Sequence, residues 1–235
     1  MFRILIRGRK CEKYIANCIQ SLLAQEEKDF YAYILLDAPP EATVRAVGLL
    51  TAQYEHKIAT IVHPKRIGLC HNLYCGLQCM REVADPEDIV AILDADDSLT
   101  ADALEKVRDV YEETNCWATY GSFRNMSDGY HGKMCSRKAE WPPRKKRWAA
   151  SHLKTFKAHL CEFIPERCFQ DAKGNWLQAA SDRALMYAVL ELCGPGLTQK
   201  IEKPIYWYRN NYHGNTSRAA QKRADKILRE KKGLK

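Results

Sequence analysis

The sequence has no apolar run of membrane-spanning length: stretches such as Tyr31 to Leu36 and Ile89 to Leu93 hold five or six residues, where a span needs about 20. It has no Cys-x-x-Cys pair, although ten cysteines are present. With no His-x-x-x-His or second Cys pair to complete a ligand set, a structural zinc site is disfavoured. Cys70, Cys75 and Cys79 fall on one helical face, and the cysteines read as buried thiols acting as small apolar residues. There is no internal repeat and no low-complexity linker, which points to one domain rather than an array. The N-terminal residues Met1 to Arg9 lack the long apolar stretch of a signal peptide, so a cytoplasmic protein without a transmembrane segment is expected.

What is present is an ordinary globular balance, 46% hydrophobic and 28% charged, with an uneven charge distribution. Lys133 to Lys157 holds nine basic residues against Glu140 alone, and Arg218 to Lys235 holds eight against Asp225 and Glu230. With a formal charge of +8 on the whole chain, these two segments sit on a mildly acidic body. A localised anionic partner follows from that pattern.

The first half alternates short apolar runs with helical spacing. Phe2 to Ile6, Tyr31 to Leu36, Ile58 to Val62 and Ile89 to Leu93 read as strands. Between them lie amphipathic stretches bearing Ile15, Cys18, Ile19 and Leu22, then Val44, Val47 and Leu50, then Leu73 to Met80. Thr100 is expected to cap a further helix carrying Leu104, Val107 and Val110. This is an α/β fold, Rossmann-like, with a mainly parallel central sheet and helices on both faces. After Tyr120 the alternation stops, and 124–160 is polar, basic and aromatic. His152 and His159 within it are spaced for one side of a helix. A helix returns at Asp182 to Leu192, and Ile205 to Arg209 reads as a last strand. The expected organisation is one domain over 1–217, with halves 1–123 and 124–217, followed by a basic tail at 218–235.

Ligands in such sheets bind beyond the carboxyl ends of the strands, and Asp37 and Asp94 lie there. The sharpest motif is Asp94-Ala95-Asp96-Asp97. Three carboxylates in four residues repel one another unless a cation is near. At a strand end they suit a hard divalent metal that also clamps a diphosphate.

With these residues in view the chain resembles the family 2 glycosyltransferases of GT-A fold, from about residue 2 to residue 217. Tyr14 to Gln25 is similar to that family's first helix, Arg66-Ile67-Gly68-Leu69-Cys70-His71-Asn72 to its Gly-to-Asn segment, and Ala91 to Thr100 to its Asp-x-Asp stretch. Ser181-Asp182-Arg183-Ala184-Leu185 stands where the family has its acid-Asp motif, and Pro204 to Arg209 followed by His213 resembles its closing strand and metal-binding histidine. The resemblance implies that Asp37 reads the nucleotide base, that Arg66, Asn72 and Asp94 hold the donor, that Asp96 and His213 bind Mn2+ or Mg2+, and that Asp182 is the general base. It implies an inverting transfer from a nucleotide-diphosphate sugar, a UDP-sugar being expected. Two departures stand out: Asp37 is followed by Ala38-Pro39-Pro40 rather than a second acid and a Gly-Ser turn, and Ser181 replaces the acid before Asp182.

The segment holding Trp141, Arg144, Lys145, Lys146, Arg147, Trp148 and His152 lies where such enzymes build their acceptor side. Cations interleaved with tryptophans suit phosphates plus stacked sugars or bases. The expected acceptor is an anionic polymer, with hydroxymethylated bases in DNA favoured, as in viral DNA hypermodification in a host cytoplasm. The alternatives are an envelope polysaccharide or lipopolysaccharide, with the basic tail touching an anionic membrane surface, and a non-catalytic nucleic-acid or glycan-binding module.

Overall fold

The computed structural model describes residues 1–128, 138–209 and 217–234. Its first half alternates β1 (Phe2–Gly8), α1 (Ile15–Leu23), β2 (Phe30–Asp37), α2 (Glu41–Thr51), β3 (Ile58–His63), α3 (Leu69–Val83) and β4 (Ile89–Asp94). The short β5 (Ser98–Leu99), α4 (Ala103–Thr114), β6 (Ala118–Gly121) and β7 (Arg124–Asn125) follow. The second half contributes β8 (Ser151–Lys157), α5 (Ser181–Cys193), β9 (Thr198–Lys200), β10 (Tyr206–Tyr208) and α6 (Arg218–Glu230). The main sheet runs β3-β2-β1-β4-β8-β6-β9, and β5-β10-β7 form a small second sheet. The pairs among β1, β2, β3 and β4 are parallel, whereas β8 is antiparallel to both its neighbours.

Successive residues of a strand point to opposite faces, and both faces of the main sheet are covered. Ile4 and Ile6 of β1 join Ile34 of β2 and Leu93 of β4 in a core with α1 and α4. Leu5, Leu35 and Ile92 join the opposite core with α3 and α5. Being buried on both sides explains why these strands read as unbroken apolar runs. Gly76 lets α3 approach closely, since a Cβ there would stand 2.6 Å from a Leu35 methyl.

Three expectations are corrected. Residues 151–157 form β8, an internal strand, so His152 lies on a strand rather than a helix. Thr100 does not cap α4; its hydroxyl donates to Asp102 at 2.6 Å. The basic tail is no free tail: Ser217 Oγ caps α6 by accepting from the Ala220 amide (3.1 Å), and Ala224 and Leu228 are buried against the domain. An ion pair from Arg183 of α5 to Asp225 at 2.6 Å adds to that docking, as do the Arg229 guanidinium's donations to the carbonyls of Arg144 (3.2 Å) and Lys146 (2.8 Å). Among the described residues no helix is long and apolar enough to cross a membrane.

Candidate active site

Strand periodicity assembles the site. Arg7 lies two residues after Leu5, on the face that α5 covers, and pairs in register with Asp94 of β4. Lys154 of β8 is in register with Ile92, and its side chain is 2% exposed. Thus Arg7, Asp94, Lys154 and His152 gather at one end of the sheet. The first turn of α5 brings Asp182 over them, after Ala180 in a left-handed conformation (φ 59°). For an alanine that backbone costs about 1–3 kcal/mol, a strain found where local geometry is constrained by function.

These residues line a cleft of about 620 Å³, together with Phe123, Trp148 and Tyr208. Lys154 Nζ stands 3.5 Å from Asp182 and 3.3 Å from His152 Nδ1. The Asp182 side chain is 32% exposed to the cleft. Arg7 donates to Ser181 Oγ at 2.8 Å and forms an ion pair with Asp94. Burial by itself would raise the Asp182 carboxyl, but Lys154 and then Arg7 outweigh it and hold it at about 2. Burial and then the Lys154 charge push the His152 imidazole well below its ordinary value, so it is neutral. Its ring stacks on Tyr206 with centroids 4.4 Å apart.

A pH test follows. A carboxylate held at about 2 is ionised across the working range, so with Asp182 as the base the rate should show no acid limb from it near neutrality. Lys154→Met removes the largest opposing cation and leaves burial in charge, so the acid limb of kcat should move up by about one pH unit or more. Lys154→Arg keeps a cation and should leave the limb in place. A Lys154→Met profile of unchanged shape would show that Lys154 only fills space.

The Asp-x-Asp turn divides its labour. Asp97 is 1% exposed and accepts from the Tyr206 hydroxyl and the Arg209 amide, both at 2.7 Å, which ties the turn to β10. Burial, then the charges of Asp94 and Asp96, raise its carboxyl to about 8. Asp96 is half-buried, and its backbone carbonyl accepts from Arg209 Nε at 3.1 Å. No cluster of three or more metal-ligating side chains occurs among the described residues. Oxygen donors from one or two carboxylates, completed by a substrate diphosphate and water, are the usual Mg2+ arrangement. Asp96 with Asp94 beside it fits such a site. His213 lies outside the described residues.

The remaining expected residues fall into three groups. Asp37 and Asn72 serve the chain's own backbone rather than an open pocket. Asp37 accepts from the amides of Ile67 (2.8 Å) and Gly68 (3.1 Å), anchoring the turn where Gly68 adopts φ 89°. Asn72 is buried and donates to the Leu35 carbonyl at 3.2 Å, joining α3 to β2. Arg66, by contrast, is exposed beside that turn.

The basic segment is corrected most. Arg144 is 5% exposed, grips both oxygens of Glu191 at 2.6 and 3.0 Å, and donates to the Leu228 carbonyl at 2.7 Å. It is an internal strut joining α5 and α6. Trp141 donates its indole N–H to the Leu190 carbonyl at 3.2 Å. Lys145, Lys146 and Arg147 are exposed, with Lys146 3.6 Å from Glu140, and none of the three lines the cleft. Trp148 and His152 do line it. Arg144→Met should cost about 3 kcal/mol by leaving the half-buried Glu191 carboxylate without its cation. Adding Glu191→Leu should recover part of that loss, read from urea denaturation; equal stability of single and double variants would refute the strut.

Sequence reasoning missed Arg7 and Lys154. Arg7 did leave a signal, a charge closing an apolar strand at its ligand-binding end. Lys154 left none, because its strand was hidden in a basic segment.

A parallel β/α half ending in an Asp-x-Asp turn, with a helix-borne carboxylate in the same cleft, is the architecture of the GT-A fold. This chain belongs to glycosyl transferase family 2, whose family model matches residues 4–163. Solved structures of similar fold include TarS 1-349 of S. aureus in complex with UDP, at 15% identity and TM-score 0.66, covering 88% of this chain and 60% of that one. The same protein in complex with UDP-GlcNAc aligns with 15% identity and TM-score 0.62, over 89% of this chain and 58% of that one. The mannosyltransferase PcManGT from Pyrobaculum calidifontis, in complex with GDP-Man and Mn2+, aligns with 19% identity and TM-score 0.61, over 91% of this chain and 58% of that one. The chain therefore spans about 60% of the TarS 1-349 chain. No curated protein matches it by sequence.

Proposed function

We propose that this glycosyltransferase inverts the anomeric carbon as it moves a sugar from a UDP-sugar to a hydroxyl of an anionic envelope glycan. The observation that carries the reading is Asp182, ionised and open to the cleft that Asp94 also lines. The acceptor oxygen attacks the anomeric carbon as the diphosphate departs, and its proton passes to the Asp182 carboxylate. A weak base suffices here. In an oxocarbenium-like transition state the attacking oxygen bonds to carbon while still protonated, and a protonated ether oxygen is far more acidic than a carboxylic acid. Lys154 fixes the carboxylate, and Arg7 keeps the turn holding Asp94 beside the start of α5. A base on the face opposite the leaving group gives inversion. Asp96 would hold a divalent cation, which would supply neutralising charge for the departing diphosphate.

UDP as the nucleotide is supported by the TarS complexes with UDP and UDP-GlcNAc. An envelope glycan is preferred to DNA because the exposed cations Lys145, Lys146 and Arg147 do not line the cleft, while other members of the segment are engaged inside the protein. Arg144 is buried in an ion pair, Trp141 bonds α5, and Trp148 is covered by Arg183 and Tyr187. The test is a panel of UDP- and GDP-sugars with Mn2+, offered with a phosphorylated glycan or a hydroxymethylated duplex and read by mass spectrometry. Transfer to the glycan is expected; transfer to the duplex alone would replace it by the DNA reading.

A further inference from the structure

The cleft has two walls of different electrical character. At the inner wall each cation faces a carboxylate: Arg7 pairs with Asp94 and Lys154 with Asp182. The outer wall is the start of α6, where Arg218, Gln221, Lys222 and Asp225 line the same cleft. Asp225 already holds Arg183 at 2.6 Å and Arg229 at 3.1 Å, so its charge is answered from within the domain. Arg183 is further committed, with its guanidinium 5.4 Å from the centroid of the Trp148 ring. Arg218 and Lys222 are different. Both are exposed, and neither has a carboxylate within ion-pair distance among the described residues.

Four residues apart, Arg218 and Lys222 share one face of α6, where like charges repel by a few tenths of a kcal/mol. An anion between them removes that repulsion. A phosphate matches the pair well, since it carries up to two charges and three strong acceptor oxygens. The Gln221 amide offers a further, neutral donor at the same wall. Trp148 and Ala150, which line the same cleft, provide an apolar surface suited to the body of a sugar or polyol.

We propose that the N-terminal half of α6 is an acceptor subsite for a phosphate group. The acceptor is then a phosphorylated saccharide or polyol whose phosphate rests on Arg218 and Lys222 while a hydroxyl of the same molecule reaches Asp182. This rests on the glycosyltransferase reading above and names its acceptor class. It also gives the basic C-terminal segment a task within the domain: α6 closes the cleft on the acceptor side and selects for charge.

The probe is glucose 6-phosphate, titrated against the UDP-loaded protein by ligand-observed NMR, with glucose and glucuronate alongside. Glucose 6-phosphate should bind about tenfold or more tightly than glucose, two modest ion pairs being enough for that factor. The preference should fade as salt rises from about 0.05 to 0.5 M. Arg218→Ala with Lys222→Ala should bring glucose 6-phosphate to the level of glucose, and Lys222→Glu alone should go most of the way. Arg223→Ala with Lys226→Ala removes the same charge from α6 positions outside the cleft and should leave the preference intact. Equal binding of glucose and glucose 6-phosphate by the wild type, or a preference that survives the Arg218 and Lys222 changes, overturns the subsite. Glucuronate binding as tightly as glucose 6-phosphate overturns phosphate in favour of any small anion. A hydroxymethylated duplex that binds in competition with glucose 6-phosphate, and is lost in the same double variant, overturns the glycan in favour of nucleic acid. UDP-sugar turnover is measured on the same wild-type samples. Its absence counts against the glycosyltransferase reading alone, and an absent phosphate preference counts against the subsite alone.

Discussion

Asp182→Asn should lower kcat by about two to four orders of magnitude while the KM for the nucleotide-sugar changes little. The amide keeps the shape of the carboxylate and can still accept a hydrogen bond, but it cannot take up the acceptor's proton. Donor binding should persist because Asp182 belongs to α5 and is no part of the Asp-x-Asp turn. The substitution also leaves Lys154 without its counter-charge at a position 2% exposed. Burial then lowers the ammonium further, and some stability is lost along with the proton acceptor. Binding of UDP-sugar by calorimetry therefore has to accompany the kinetics, to separate a lost base from a lost fold. A folded, donor-binding variant with near wild-type turnover would remove Asp182 from the chemistry.

Asp96→Ala is the second large effect. Neutralising the charge on a departing diphosphate is worth several kcal/mol, so kcat/KM should fall by about three orders of magnitude or more. Excess chelator should do the same to the wild type, and Mn2+ or Mg2+ should restore it. Neither ion should restore the Asp96→Ala enzyme. Asp96 suits this role better than its neighbour, because Asp97 is buried between Tyr206 and Arg209 with its carboxyl raised to about 8. Full wild-type activity in chelator would assign charge neutralisation to side chains such as Arg7 and Arg209, both of which already contact this turn.

The amino-acid sequence by itself determined the parallel half of the fold and the place of its acidic turn. β1, β2 and β4 are buried on both faces, so their apolar runs are continuous and stand out against the helical spacing between them. Asp94 is legible because it closes such a run, and Asp182 because it opens α5. The environment of these carboxylates was decided only by tertiary structure. Arg7 meets Ser181 across 174 residues, Lys154 meets Asp182 from a strand with no apolar signature, and Arg144 finds Glu191 47 residues away. No local pattern encodes such pairs. A basic run reads the same whether its charges face solvent, a phosphate or a half-buried glutamate. α6 shows the same limit, since its few apolar residues look too sparse for a helix face. Burial of Ala224 and Leu228 is supplemented by the ion pair from Arg183 to Asp225 and the grip of Arg144 on the Leu228 carbonyl, and those partners meet only once the chain has folded.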